Sequence, residues 1–246
     1  MARSVLTALL GAALLWPSLT SPALADPARW QSEWPDTDFS RHSVAFDEIF
    51  SGGPPRDGIP SIDDPAFVPV SEAGLPDREP VIGLTIGDDS RAYPLRILMW
   101  HEIVNDVVGG VPVAVTFCPL CNTGIVFDRR LDGRMLEFGT TGKLRNSDLV
   151  MYDRTTESRW QQFVGEAIVG ELTGSRLAML PSRLESFPNF VERAPDGRVQ
   201  VASAGALRAY GRNPYVGYDT SPAPLLYRGP LPERIAPLAR VIPGRR

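Results

Sequence analysis

The chain has 246 residues, 25 of them basic and 29 acidic, for a formal net charge of -4. Phosphate contacts need a basic face, so this balance argues against nucleic-acid binding. Glycine and proline number 22 and 24, above ordinary usage, which together with β-branched runs favours short strands and turns over a helical bundle.

The N-terminus has the pattern of an export signal. Arg3 supplies a short positive region, and Val5 to Trp16 is apolar but shorter than the roughly 20 residues that span a bilayer. Ala23-Leu24-Ala25 then offers small residues for cleavage before Asp26. Residues 1–25 are therefore expected to be a secretory signal peptide, with no twin arginine, and the mature protein to be periplasmic or extracellular. Loss of Arg3 would take the formal charge from -4 to -5. No later stretch is long and apolar enough to cross a membrane.

The mature chain, 26–246, is expected to form a single β-rich α+β domain of consecutive antiparallel hairpins with a few short helices. It would begin with an irregular arm to Ser43 and end in a Pro/Gly-rich segment. Val44 to Ile49 reads as a short strand or a helix start. The run Ser51 to Pro60 is a loop by its glycines and prolines, open to a structural or a site-lining role. Val81 to Ile86 and Arg91 to Tyr93 pair across Gly87-Asp88-Asp89, and Pro94 suits the start of a short helix reaching Met99 or Trp100. Further strands are predicted at Ile125 to Phe127, at Met135 to Phe138 after the Asp132-Gly133 turn, and at Leu149 to Tyr152. Ser158 to Phe163 is ambiguous, Gly165 to Gly174 reads as a turn-rich strand pair, and Leu184 to Val191 reads as a short helix.

The segment His101 to Cys121 carries the most chemistry. Glu102 to Val108 and Val111 to Phe117 flank Gly109-Gly110, a hairpin turn pair. With Val108 opposite Val111, an unbroken ladder sets His101 opposite Cys118, at a Cβ separation of roughly 4.5–5.5 Å. Cys118-Pro119-Leu120-Cys121 holds both cysteines of the chain. It lies between strands, whereas a thioredoxin-type pair sits where a strand meets a helix. A bridge three positions apart would also close too small a loop to stabilise the fold. The expectation is a soft metal site for Cu or Zn, with Cys118 and Cys121 as thiolates, His101 as imidazole and Met99 as a weak fourth candidate. A redox-active thiol pair and an inert structural pair stay open beside it.

Two motif-like runs fail on inspection. His101-Glu102-Ile103-Val104-Asn105 has Asn105 in place of the second histidine of a zinc protease and reads as strand, so Glu102 should face away from His101 unless a bulge rotates it. Gly139-Thr140-Thr141-Gly142-Lys143 lacks the spacing and the hydroxyl of a phosphate loop. A Ser-His-Asp hydrolase would need His42 and has no nucleophile elbow to use it. Asn105 and Asp106 are expected to shape the hairpin turn. With Glu102, Arg145, Asp153 and Arg154 they form a candidate rim for a small-molecule or protein partner, against the plainer reading of a solvated surface.

Taken together, SGGPPRDGIP from Ser51, RAYPLRILMWHEIVND from Arg91, FCPLCNTG from Phe117, NSDLVMYDRTTESRWQQFVGEAIVG from Asn146 and YGRNPYVGYDT from Tyr210 resemble the prokaryotic secreted family catalogued as domain of unknown function 3179. The resemblance covers most of the mature chain and implies an exported domain. It singles out His101, Cys118 and Cys121 without attaching a reaction to them, and members can run longer past the segment that ends this chain. The reading that follows is an exported protein that binds a soft transition metal, in metal handling or metal-assisted catalysis. A thiol-disulfide oxidoreductase and a non-catalytic binding module are the alternatives.

Overall fold

The computed structural model describes residues 27–202 and 208–240. The expected signal peptide lies outside the described residues. No described helix is long and apolar enough to cross a membrane.

The hairpin at the centre forms in the expected register. Gly109 and Gly110 take φ of +54° and +78°, and Val108 pairs with Val111. Its strands, Ile103–Val108 and Val111–Cys118, extend into a four-stranded sheet with Thr123–Asp128 and Met179–Leu180. This sheet is buried on both faces, which is why the sequence shows a nearly continuous apolar run. Successive side chains alternate between the faces. Val113, Val115 and Phe117 point into a cluster with Ile82, Leu84, Tyr93 and Leu98. Ala114 and Cys118 point into another with Phe138, Leu149, Met151 and Trp160.

Each cluster is completed by a second sheet. On the Phe117 side lie Ser182–Ser186, Pro80–Ile86, Asp89–Pro94, Arg198–Val201 and Ala66–Pro69, together with the helix Leu95–His101. On the Cys118 side lie Ile49–Ser51, Phe138–Arg145, Asp148–Asp153, Arg159–Gln161 and Glu166–Val169. The protein is thus β-rich with few helices, as expected, but its order is not a simple run of hairpins. Ile49–Ser51 pairs with the distant Phe138–Arg145, and Arg198–Val201 runs parallel to Asp89–Pro94. Non-local pairings of this kind leave no short-range mark in a sequence.

Three local expectations need revision. The Asp132-Gly133 turn forms, but its second strand is only Arg134–Met135, and Phe138 begins a separate strand. The helix expected from Leu184 begins at Phe187, because Ser182–Ser186 is drawn into the edge of the Pro80–Ile86 sheet. The Leu95 helix runs on to His101. Its apolar face, Leu95, Ile97 and Leu98, is buried, and a Glu79 oxygen accepts the Arg96 N–H at 3.0 Å at its N-terminus.

The glycine-rich stretches pack on one another. Gly142 sits at a break in register between Thr140 and Lys143, at φ +66°. There the Gly52 N–H donates to the Gly142 carbonyl at 2.8 Å, and the Asp57 N–H to the Thr140 carbonyl at 2.9 Å. Lys143, which would hold phosphate in a nucleotide loop, is buried and paired with Glu33 at 3.0 Å. This run is a β-bulge that seats the Ser51–Pro60 loop.

Candidate metal centre

Cys118 ends the inner strand of the central sheet, and Cys121 follows in the turn that leads to Thr123–Asp128. Asn122, at φ +50°, bends the chain back so that Cys118 pairs with Thr123. From the neighbouring sheet, the turn Asn146-Ser147 adopts φ of +54° and +65°, and it delivers the Ser147 carbonyl and the Asp148 side chain to the two sulfurs. The Cys118 thiol donates to the Ser147 carbonyl at 3.7 Å and the Cys121 thiol to Asp148 Oδ1 at 3.3 Å. The Thr123 hydroxyl donates to Cys121 Sγ at 3.0 Å, and the Phe163 N–H to Asp148 Oδ2 at 3.0 Å.

One ligand atom from each of Cys118, Cys121 and Asp148 lies within 4.8 Å of the others, a group that could hold a metal ion. Both cysteines are free thiols. Burial pushes the Cys118 thiol well above its ordinary range, with Cys121 adding to the effect. Burial likewise raises the Asp148 carboxyl to about 6. Among the described residues, no lysine, arginine or histidine side chain bonds to either sulfur or to Asp148. Three acidic donors therefore converge, two of them buried and Cys121 half-buried, without a cationic side chain bonded to them.

Glu102 joins this neighbourhood. It caps the Leu95 helix at φ +59°, a backbone conformation that costs a non-glycine residue about 1–3 kcal/mol. Burial raises its carboxyl to about 8, and the charge of Asp148 adds to the shift. Tyr215, from the C-terminal segment, completes the surround. Its phenol is raised to about 12 by burial and then by the charges of Glu102 and Cys118. Beside it, Leu120, Val216, Tyr218 and Leu225 line a depression of about 420 Å³.

His101 and Met99 are not brought to the sulfurs, which corrects the ladder extrapolated from the hairpin. The Phe117 N–H still donates to the Glu102 carbonyl at 2.8 Å, but His101 is helical and leaves the sheet one residue too early to face Cys118. Its Nδ1 lies 2.7 Å from the Pro60 carbonyl and its Nε2 2.6 Å from the Tyr210 hydroxyl. A carbonyl only accepts, so Nδ1 carries the proton and Nε2 accepts from Tyr210. Burial lowers the His101 pKa, in keeping with a neutral ring. Met99 packs on the Phe117-side cluster, across the central sheet from Cys118.

The other rim candidates are structural. Asn105 bridges Asp63 and both backbone groups of Phe138. Asp106 binds Arg91 and Tyr93. Arg145 holds Glu48 and Gln161, while Asp153 is buried against Thr156 and the Trp160 indole. Arg154 ties Asp63, Glu137 and Ser61 together. The strand expected at Leu149 to Tyr152 forms as Asp148–Asp153, but the polar runs beside it are not the solvated surface expected: Ser147, Asp148, Asp153 and Thr156 to Ser158 are buried, where polar side chains satisfy one another. Asp148 escaped the sequence reading because it looked like one more surface aspartate. Its position straight after a two-residue turn and before a fully apolar strand was the available signal.

A profile of the family described as Protein of unknown function (DUF3179) matches residues 56–245. No curated protein and no solved structure matches the chain.

Proposed function

The chain belongs to the DUF3179 family, and we propose that it binds a divalent transition metal, zinc in the first instance, through Cys118, Cys121 and Asp148. The observation that supports this reading is the convergence of two cysteine sulfurs and a carboxylate, Cys118 and Asp148 buried and Cys121 half-buried, with no cationic side chain bonded to them among the described residues. Burying uncompensated charge is costly, and protonation or a metal ion are the two ways to avoid it. Two thiolates and a carboxylate form a set that zinc accepts in tetrahedral geometry. Copper(I) prefers soft thiolate and thioether donors; the cysteine pair offers two, but with Met99 engaged elsewhere the third donor is the hard Asp148 carboxylate, which favours zinc. A bound metal would also shield a closely spaced cysteine pair from oxidation. This matters because residues 1–25 have the pattern of an export signal, and we place the protein in the periplasm or outside the cell.

The same geometry argues against a thiol-disulfide oxidoreductase. An attacking thiol needs a lowered pKa, from a nearby cation or helix N-terminus. Cys118 has burial and an acidic neighbour instead.

The test is metal analysis of the mature protein purified under reducing conditions after exposure to zinc or copper. One equivalent of zinc retained by the native protein, and lost in Cys118→Ser, Cys121→Ser and Asp148→Asn, is the expected result. Retention of no metal, or equal retention in all three variants, overturns the proposal.

A further inference from the structure

The Thr123 hydroxyl lies 3.0 Å from Cys121 Sγ and 3.1 Å from the Cys121 carbonyl oxygen, and it has one proton to share between them. The sulfur of a neutral thiol is a weak acceptor, so in the metal-free protein the carbonyl competes well for that proton. A cysteine bound to a metal is a thiolate. Hydrogen bonds to an ionised acceptor are roughly twice as strong as neutral ones. Metal uptake would therefore draw the Thr123 proton to the Cys121 sulfur.

The surrounding structure keeps the hydroxyl in place for this. Thr123 opens the strand Thr123–Asp128 and pairs with Cys118 across the ladder. Its carbonyl accepts from the Gln162 side-chain amide at 3.2 Å. Gln162 is fully buried, and the same nitrogen also donates to the Thr116 hydroxyl at 2.8 Å. The next residue, Phe163, gives its N–H to Asp148 Oδ2 at 3.0 Å, which leaves Oδ1 to accept from Cys121. One dipeptide, just past the strand Arg159–Gln161, thus braces both the threonine and the carboxylate.

We propose that Thr123 is a positioning residue of the metal centre, its hydroxyl holding the Cys121 sulfur at the ion through an O–H···S hydrogen bond. This rests on the metal-binding reading and adds to it a residue that touches a ligand and not the ion. Outer partners of this kind orient a ligand and tune its donor strength. The strand favours any β-branched side chain at this position, whereas the proposed role needs the hydroxyl.

Zinc and cobalt(II) titrations of the reduced mature protein test this, comparing native protein with Thr123→Val, Thr123→Ala and Thr123→Ser. Valine keeps the shape of threonine and removes the hydroxyl, alanine removes it without filling the space, and serine keeps it. Zinc affinity should fall by about tenfold in Thr123→Val and Thr123→Ala. Their thiolate-to-cobalt charge-transfer band should move to longer wavelength, because the sulfur has lost a donor that withdraws electron density. Thr123→Ser should keep the native band position and most of the affinity. Native affinity and band position in Thr123→Val and Thr123→Ala would overturn the positioning role, as would a Thr123→Ser as impaired as they are. Either result, with zinc taken up by the native protein, leaves the three-ligand site standing. Failure of the native protein to take up either ion would overturn both.

Discussion

The imidazole of His101 and the phenol of Tyr210, 109 positions apart, meet at 2.6 Å, with ring planes 28° from parallel. Tyr210 begins the segment that carries Tyr215, whose phenol is raised by burial and then by the charges of Glu102 and Cys118. The histidine thus fastens the C-terminal segment beside the helix Leu95–His101. Tyr210→Phe removes one hydrogen bond, worth about 1 kcal/mol. The thiols of the metal-free protein should then react with an aromatic disulfide reagent about fivefold faster, and His101→Ala should accelerate them further. Equal rates in native protein and both variants would show that this contact does not guard the site.

The metal-free protein should lose stability as pH rises. Glu102, raised from an ordinary 4.5 to about 8, keeps its proton in the folded state where the unfolded chain has released it. Its favourable contribution is complete below about 4.5 and is lost through about 8. Asp148, raised from 3.8 to about 6, acts in the same direction over a lower window. Denaturant titrations should therefore show stability falling between pH 5 and 9 by a few kcal/mol. Glu102→Gln should flatten the upper part of the curve and be the more stable protein at the alkaline end. A native curve that rises through that range would contradict the assignment.

Asn105 ties the central hairpin to the next sheet. Its amide donates to Asp63 at 2.7 Å and to the Phe138 carbonyl at 2.8 Å, and accepts from the Phe138 N–H at 3.0 Å. Asn105→Ala leaves the two buried backbone groups unpaired, at an expected cost of about 2–4 kcal/mol. Thermal unfolding should show this as a drop of several degrees, with metal stoichiometry unchanged because no ligand is touched.

Gly142 offers a paired comparison. A Cβ there would lie 1.9 Å from the Pro54 carbonyl oxygen, whereas at Gly133, also at positive φ, nothing lies within 4 Å. Gly133→Ala should cost about 1 kcal/mol from backbone strain alone. Gly142→Ala should cost about 2–4 kcal/mol, because the Pro54–Pro55 loop must also move. Similar midpoints for the two variants in urea would remove the seat proposed for that loop.

Much of this protein follows from local rules. The Gly109-Gly110 turn and its valine runs determined a hairpin and its register, because turn chemistry and alternation act over neighbouring residues. The between-strand setting of Cys118 and Cys121 pointed away from a thioredoxin site for the same reason. The ladder could not be carried past Ile103, since helix burial against the Pro80–Ile86 sheet extends the Leu95 helix through His101. That competition between helix and strand is settled by packing, which local periodicity does not report. Asp148 reaches Cys121 across 27 positions, and the Ser147 carbonyl reaches Cys118 across 29. Those meetings exist only because a two-faced central sheet gathers distant strands around it. Sequence alone determined which sulfurs stand together; tertiary structure decided that Asp148, and not His101 and Met99, stands beside them.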